Sequence, residues 1–227
     1  MLETRRHNAC PWRILEMNAF LRSLFDIIAI DIDHLSSYLS LSQQQYLAQN
    51  LKSINDLDSD VYTDQEGENL EVLLHFLTCH KQEIFQLWNN PCDKHILVSL
   101  YTSPILSGNY DCFHFDLSKF NPTYNSTGLK LTLYRVGRAG ENTASLGNSW
   151  SKTPRGLVNY VRSSAIDSLN RPIFQAEVND SEVLCEGNSQ EDELILKKGF
   201  VPEKVRLLGK SEQHDNLMEK LKLLLQI

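Results

Sequence analysis

The sequence predicts an α+β fold, with a helical region at residues 1–106 followed by a β-rich region at residues 107–227. In the first region apolar residues recur every three to four positions, which is typical of amphipathic helices. In the second the apolar runs are short, and the one at 129–134 alternates with period two, which favours strands. Gly, Asn, Ser and Pro cluster at 107–128. We therefore expect a domain boundary in that stretch.

The helical region is expected to contain four helices, separated by polar or proline-containing segments. Ser42 is the expected N-cap of the second helix, and the stretch 56–69 is acidic and polar and predicts a loop. Asn89-Asn-Pro91 is expected to end the third helix, since proline cannot continue it. The expected helices are 12–28, 42–54, 70–88 and 94–101.

The β-rich region is expected to contain four strands with one helix between the first two. Thr153 is a suitable N-cap for that helix and Pro154 suits its first turn. An amphipathic helix at 211–227 is expected to close the chain. The expected strands are 129–134, 172–178, 193–196 and 204–208, and the expected internal helix is 154–165.

Composition and charge exclude several classes of protein. Hydrophobic residues make up 41% and charged residues 22%, as in ordinary globular proteins. The net charge of −7 argues against a general nucleic-acid binder, which normally carries a basic face. Five scattered cysteines do not predict a disulfide framework.

The sequence also predicts where the protein is found. No apolar run reaches the roughly 18–20 residues that cross a bilayer, and the N-terminus lacks the order of a secretory signal. We expect a protein kept reduced in a cytoplasm. A signal read by a specialised secretion system would leave no such pattern, so delivery into another cell stays open.

Three short fragments carry the chemistry of the β-rich region. They are Leu131–Gly137, Gly147–Ser151 and Glu191–Leu196. In that order they place an arginine at the end of one strand, a pair of serines on a second, and two carboxylates at the start of a third. An arginine fork binds phosphate oxygens while staying charged, so this set is suited to a dinucleotide.

The same set suits cleavage of the nicotinamide–ribose bond of NAD. The nicotinamide already carries positive charge, so the barrier is the oxocarbenium-like ribose that forms as it leaves. A fixed carboxylate stabilises that charge, and a neighbouring hydroxyl can orient the carboxylate. Arg135, Ser149 and Glu193 fit the roles of phosphate ligand, orienting hydroxyl and carboxylate.

The fragments Tyr134-Arg135, Gly147-Asn-Ser-Trp-Ser151 and Glu191-Asp-Glu193 resemble the motifs of mono-ADP-ribosyltransferases of the arginine–serine–glutamate type. The expected helix after the second motif and the strand before the third match the family's order, and the resemblance covers about residues 129–208. It implies an α+β catalytic domain of that type at 107–227.

The resemblance also implies a role for each residue of the site. Glu193 would be the catalytic glutamate, Ser149 would support it, and Glu191 would activate an arginine of the acceptor. Arg135 would bind the phosphates or ribose of NAD. The segment 179–190 would be a loop facing the target. The remaining NAD contacts implied are Tyr134, Gly137, Trp150 and Ser151.

One position departs from the family pattern. Val136 follows the arginine where many members have glycine, and Gly137 is a candidate to supply the same flexibility. Arg138, Asn142 and Tyr160 are candidates for secondary contacts with the dinucleotide, although ordinary structural roles are favoured for each.

The resemblance further implies a class of partner. The co-substrate would be NAD, with no metal, and the acceptor a protein of a host or competitor cell, because such enzymes are often bacterial effectors or toxins. Two alternatives remain: an NAD glycohydrolase, and a non-catalytic binding module that keeps the fold. The helical region would either position a target or act as a stabilising cap.

Three other features of the sequence suggest different functions. The stretch Phe25–His34 superficially resembles the Asp-x-Asp strand of haloacid-dehalogenase-type phosphatases, but its helical spacing favours Asp31 and Asp33 on a solvated helix face. The C-terminal leucines at 217, 221, 224 and 225 fit a membrane or partner surface, but packing on the chain's own domain is favoured.

A zinc site is the third alternative. Its candidate ligands are His75, Cys79, His80, Cys92 and His95, for which structural roles are favoured, with Cys79 buried in an apolar stripe.

Overall fold

The computed structural model describes residues 17–58, 68–92, 95–103, 114–163, 170–211 and 214–225. Within those ranges the chain forms eight α-helices and one six-stranded antiparallel sheet. The α+β class is therefore confirmed. None of the helices in the described ranges is long and apolar enough to cross a bilayer.

Six helices precede the sheet. They are α1 (Ala19–Ile27), α2 (Ile32–Tyr38), α3 (Leu41–Asn50), α4 (Glu68–Cys79), α5 (Lys81–Asn89) and α6 (His95–Tyr101). The expected third helix, 70–88, is divided into α4 and α5, because the chain turns at His80. The His80 ring lies 2.7 Å from the Ser103 hydroxyl through Nε2, which ties this turn to the end of α6.

The N-cap of α3 is Ser40, and the prediction of Ser42 is wrong. The Ser40 hydroxyl accepts the amide of Gln43 at 3.2 Å, and the Gln43 side chain accepts the amide of Ser40 at 2.8 Å. This reciprocal pair requires a glutamine or glutamate three residues after the cap. Ser40 and Ser42 are each followed three residues later by a glutamine, Gln43 and Gln45, so this rule alone does not separate them; in the structure only the Ser40–Gln43 pair forms.

The two aspartates proposed for an Asp-x-Asp strand lie at the start of a helix. Asp31 is the N-cap of α2, and its carboxylate accepts the amide of His34 at 3.0 Å. Asp33 is exposed in the first turn, as expected, but Asp31 is partly buried by its capping role. The phosphatase interpretation, which requires a strand at these residues, is therefore not supported.

The sheet contains β1 (Lys130–Val136), β2 (Ser149–Ser151), β3 (Pro172–Asn179), β4 (Val183–Glu186), β5 (Glu193–Leu196) and β6 (Lys204–Lys210). Their order in space is β4-β5-β2-β1-β3-β6. All four expected strands are present, with small changes in their ends. Strand β4 was not expected: it lies within the segment predicted to be a target-facing loop, so that prediction is wrong for residues 183–186.

Two further helices cover one end of the sheet. They are α7 (Pro154–Ser163) and α8 (His214–Leu225). Thr153 caps α7 as expected, because its hydroxyl accepts the amide of Gly156 at 3.0 Å. Leu217 and Leu221 of α8 are buried in a cluster with α7, β1 and β3. Packing of the C-terminal helix on its own domain is therefore confirmed for these two leucines.

The helical and β-rich regions share one apolar cluster. Leu184 and Cys185 of β4 and Ile195 of β5 are buried against side chains from α1 to α6. The helical region therefore packs on the β4–β5 side of the sheet. The division into two domains near 107–128 stays a prediction.

Asp180 holds the segment that precedes β1. Its carboxylate is buried and accepts hydrogen bonds from the Ser126 hydroxyl at 2.6 Å, from the Thr127 amide at 2.7 Å and from the Gly128 amide at 2.9 Å. The hydrogen bond from Ser126, opposed by burial and reinforced by Thr127, holds the pKa of Asp180 well below its ordinary value. The ionised carboxylate therefore stabilises the folded state.

Asp180→Asn is expected to lower the Tm, since an amide offers only one acceptor oxygen to these donors. A lowered folded pKa gives stability that is present above the unfolded pKa of about 3.9 and is lost as the pH falls below it. The Tm difference from the parent protein should therefore shrink below about pH 4. Thermal melts from pH 3 to 8 check this, with Asp33→Asn as the exposed control. A constant difference across that range would contradict the assignment.

Candidate active site

Neighbouring strands bring the three central residues of the predicted site together. Strand β2 lies between β1 and β5, with Tyr134 opposite Ser151 and Ser151 opposite Glu193. Arg135, Ser149 and Glu193 all line a narrow cleft between the sheet, α7 and the short 3₁₀ turn Ser189–Glu191. The cleft is lined by Tyr134, Arg135, Val136, Ser149, Ser151, Leu157, Tyr160, Glu191 and Glu193.

Both oxygens of Glu193 are held. The Ser149 hydroxyl donates to Oε1, and the Asn188 amide donates to Oε2 at 2.9 Å. The carboxylate reaches this position because residue 187 is glycine: a Cβ there would lie 2.2 Å from Glu193 Oε2. The expected contact between Ser149 and Glu193 is present, and the carboxylate is oriented without a ligand.

Arg135 is an ordered, largely buried group with 11% of its side chain exposed. Its Nη1 donates to the Ser149 carbonyl at 2.8 Å, while Nε and Nη2 donate to the two oxygens of Glu141 at 2.8 Å and 3.0 Å. Gly147 leaves room for the guanidinium, because a Cβ there would lie 2.2 Å from Nη2. Three of the five N–H groups of Arg135 are thus used within the described residues.

Glu141 is a site residue that the sequence did not reveal. Besides Arg135, its carboxylate accepts the amides of Arg138 at 2.8 Å and Gly147 at 3.0 Å, and only 6% of its side chain is exposed. Burial raises the pKa of Glu141, but the hydrogen bond and charge of Arg135 with these two amides outweigh it, and the pKa is lowered. Glu141 therefore fixes the Arg135 guanidinium and the segment that joins β1 to β2.

Glu141→Gln is expected to destabilise the protein by about 3 kcal/mol, because it leaves the charge of Arg135 buried without its counter-charge. Denaturation in urea measures the loss, and Glu186→Gln, at an exposed carboxylate, is the control. An unfolding midpoint equal to that of the parent protein would show that Glu141 does not hold Arg135.

Glu191 lies beside Glu193 at the cleft, although it belongs to a different local structure. It ends the 3₁₀ turn, and Asp192 then adopts a left-handed conformation with φ of 48° that lets both acids line the cleft. Its Oε1 accepts the Ser163 hydroxyl at 2.9 Å. Burial raises the pKa of Glu191, the charge of Glu193 adds to the rise, and the Ser163 hydrogen bond opposes it. A carboxylate with a raised pKa is suited to accept a proton.

Two of the predicted NAD contacts do not reach the cleft. Alternation along β2 puts Ser149 and Ser151 on one face and Trp150 on the other. Trp150 is 1% exposed in an apolar cluster, with its indole N–H donating to the Gly147 carbonyl at 2.8 Å. Gly137 is buried, and a Cβ there would lie 2.7 Å from the Phe174 ring, so it serves close packing instead of flexibility. Direct ligand contacts from Trp150 and Gly137 are therefore not supported.

The three candidates for secondary contacts with the dinucleotide also differ in whether they line the cleft. Tyr160 of α7 lines the cleft. Arg138 does not line it, and its Nη2 lies 3.5 Å from His114 Nε2. The side chain of Asn142 accepts the Ala144 amide at 2.9 Å within its own turn. Only Tyr160 of these three is placed to contact a ligand in the cleft.

The helical region lies behind Glu193. Cys185 of β4 is buried, and burial, followed by the negative charge of Glu193, raises its pKa to about 12. The thiol therefore stays protonated near neutral pH. Burial likewise raises the pKa of Tyr101 on α6, and the charge of Glu193 contributes to that rise. The Tyr101 side chain of α6 therefore lies within electrostatic range of the Glu193 carboxylate.

The zinc alternative receives no support from the described residues. Cys79 lies 3.7 Å from the His75 ring nitrogens, but both side chains are exposed. The expectation that Cys79 is buried is wrong, because the turn at His80 ends α4 at this residue. In the part of the chain that the structure describes, no three His, Cys, Asp or Glu side chains form a group that could hold a metal ion.

The cleft is narrow. Its volume is about 20 Å³, space for about one water molecule, whereas ligand sites usually measure about 300–1,000 Å³. The segment 187–192 is fastened over it by the hydrogen bond from Thr153 to Asp192 at 2.5 Å and by that from Asn159 to the Gln190 carbonyl at 2.6 Å. We therefore expect a dinucleotide to bind there only after this segment moves away from α7.

Comparison of the chain with protein-family models, with curated proteins and with solved structures found no match.

Proposed function

We propose that the protein transfers ADP-ribose from NAD to an arginine side chain of an acceptor protein and releases nicotinamide. The observation that carries this proposal is the convergence of Arg135, Ser149 and Glu193 on one cleft, with Ser149 bonded to both of the others. The likeness of the three motifs to those of arginine–serine–glutamate mono-ADP-ribosyltransferases names the reaction. The contacts among Arg135, Ser149 and Glu193 support it.

Glu193 supplies the charge that the reaction requires. When the bond between C1′ of the ribose and the nicotinamide nitrogen breaks, the electron pair leaves with nicotinamide and positive charge develops on the ribose. A carboxylate already oriented by Ser149 and the Asn188 amide does not need to reorganise as that charge forms. Such preorganised stabilisation is the main contribution of Glu193 to the rate.

Glu191 completes transfer to an acceptor. A guanidinium nitrogen of the acceptor attacks C1′ and loses one proton, and Glu191 accepts that proton. Its raised pKa gives it more affinity for a proton than an ordinary glutamate has. The two acids thus take different parts, Glu193 in bond cleavage and Glu191 in transfer.

Arg135 binds the dinucleotide through the guanidinium N–H groups that its protein contacts leave over. Two of its five N–H groups have no partner among the described residues and are left for a phosphate or ribose oxygen. Glu141 offsets part of its charge. Arg135 therefore orients the dinucleotide more than it attracts it.

The experiment combines two readouts on one reaction with NAD labelled in its adenylate moiety. Free nicotinamide is measured by chromatography, and label in protein is measured after addition of a eukaryotic or bacterial lysate. Nicotinamide release with label in protein supports the proposal. Nicotinamide release without labelled protein would make the protein an NAD glycohydrolase, and absence of both would make it a non-catalytic binding module. Mass spectrometry of the labelled protein then identifies the acceptor residue.

A further inference from the structure

An open, polar groove lies on the outer side of α7, separate from the cleft. Its volume is about 600 Å³, which is within the range of ligand-binding sites. Arg155, Asn159 and Arg162 of α7 line one side, and Gln190 and Asp192 line the other. The groove therefore runs between α7 and the segment that carries Glu191.

The groove contains two arginines whose charge is not paired with a carboxylate among the described residues. Arg155 and Arg162 are exposed, and neither has an ion pair within the described part of the chain. Seven residues apart, they lie on the same helix face and about 10 Å apart along the axis. Among the described residues that line the groove, Asp192 is the one carboxylate, and it already accepts the Thr153 hydroxyl at 2.5 Å. In a chain with a net charge of −7, this face is suited to a negatively charged partner.

The groove adjoins the reacting end of the cleft. Ser163 lines the groove, and its hydroxyl donates to Oε1 of Glu191, which lines the cleft. The Asn159 side chain, also in the groove, donates to the Gln190 carbonyl. A chain segment bound in the groove therefore lies beside the carboxylate proposed to activate the acceptor.

We infer that this groove docks the acceptor protein through an acidic segment next to the arginine that is modified. Two carboxylates bind Arg155 and Arg162, which stand about 10 Å apart. Residues four apart in an extended chain share one face and are separated by about 13 Å, a span that the long arginine side chains can match. The pyrophosphate of NAD fits the pair less well, because its charge is concentrated at one place. This inference rests on the proposed function and adds to it the chemistry of the acceptor.

The test uses two synthetic peptides and one double variant. The first peptide contains one arginine and two glutamates four positions apart, and its twin carries glutamines instead. Binding of fluorescent peptides is followed by anisotropy at low salt, which needs no turnover. ADP-ribosylation of the same peptides by the protein, with NAD as co-substrate, is measured in parallel. Arg155→Gln with Arg162→Gln is the variant, and Lys52→Gln, at an exposed lysine in the helical region, is the control.

The parent protein is expected to bind and modify the glutamate peptide about tenfold better than its twin, a difference of about 1.4 kcal/mol. The double variant should lose that preference, and the control should keep it.

Equal binding of the two peptides by the parent protein would overturn the inference. So would a raised KM for NAD in the double variant, since that result would place the phosphates of NAD in the groove. If the peptides bind as expected and nicotinamide is not released, the proposed reaction fails while the acidic docking site stands.

Discussion

Glu193→Gln is expected to lower the rate of nicotinamide release by about 100-fold or more, because it removes the fixed charge that stabilises the ribose cation. The substitution keeps the size of the side chain. It also keeps an oxygen that can accept the hydrogen bond from Ser149 or from the Asn188 amide. A loss of activity therefore reports the charge and not a change of shape. The rate is measured by chromatography of free nicotinamide at saturating NAD.

The matched control for this variant is Glu186→Gln, which changes an exposed carboxylate of β4 near the end of the same strand pair. The control should keep the parent rate and the parent Tm. A Glu193→Gln protein that releases nicotinamide at the parent rate would remove Glu193 from its proposed role.

Glu191→Gln is expected to reduce transfer to protein by about 100-fold while a substantial part of the NAD hydrolysis remains. Transfer needs a group that takes a proton from the acceptor guanidinium, whereas hydrolysis needs only water at the same carbon. The ratio of labelled protein to free nicotinamide measures the division between the two acids. Equal losses in both readouts would contradict it.

The pH dependence of transfer offers a second readout on Glu191. Because its pKa is raised by burial and by the charge of Glu193, the group becomes protonated at a pH above the ordinary glutamate value of about 4.3. Transfer should therefore decline as the pH falls through that raised pKa, and the decline should be absent from the residual transfer of the Glu191→Gln protein. Rates between pH 4.5 and 8 test this, with Tm measured at each pH. The same acidic decline in both proteins would assign it to another group.

The elements that could be predicted from the sequence are those with a clear local pattern. The alternation at 129–134 predicts β1 because every second side chain faces the core. Thr153 followed by Pro154 marks the start of α7 because both residue types suit a helix N-terminus. The order of the arginine, serine and glutamate fragments predicted that these residues come together, and three adjacent antiparallel strands place them beside one another, with Arg135 on the Ser149 carbonyl and the Ser149 hydroxyl on Glu193.

Other features depend on contacts between distant residues, which leave no local pattern. Glu141 is one of 29 acidic residues and lies in a polar turn, so nothing in its neighbourhood identifies it as the partner of Arg135. The Asn188 amide that holds Glu193 is a backbone group, present at every residue but proline. Strand β4 is only four residues long, too short for its apolar run Val183–Cys185 to be separated from a loop by periodicity.

Some errors came from transferring a motif without its geometry. Trp150 belongs to the Ser-Trp-Ser motif, but alternation in a strand requires that it face away from the two serines. Its burial in the core shows that it fixes the strand that carries Ser149. The tryptophan therefore supports the site from the opposite face of the sheet.

The proposed chemistry depends most directly on where NAD binds. The decisive measurement is a crystal structure of the Glu193→Gln protein grown with NAD, in which slow cleavage preserves the dinucleotide. The nicotinamide ribose should lie against residue 193, with a phosphate or ribose oxygen on Arg135 and the segment 187–192 moved away from α7. A dinucleotide bound elsewhere, or no bound dinucleotide at millimolar NAD, would contradict the proposed function.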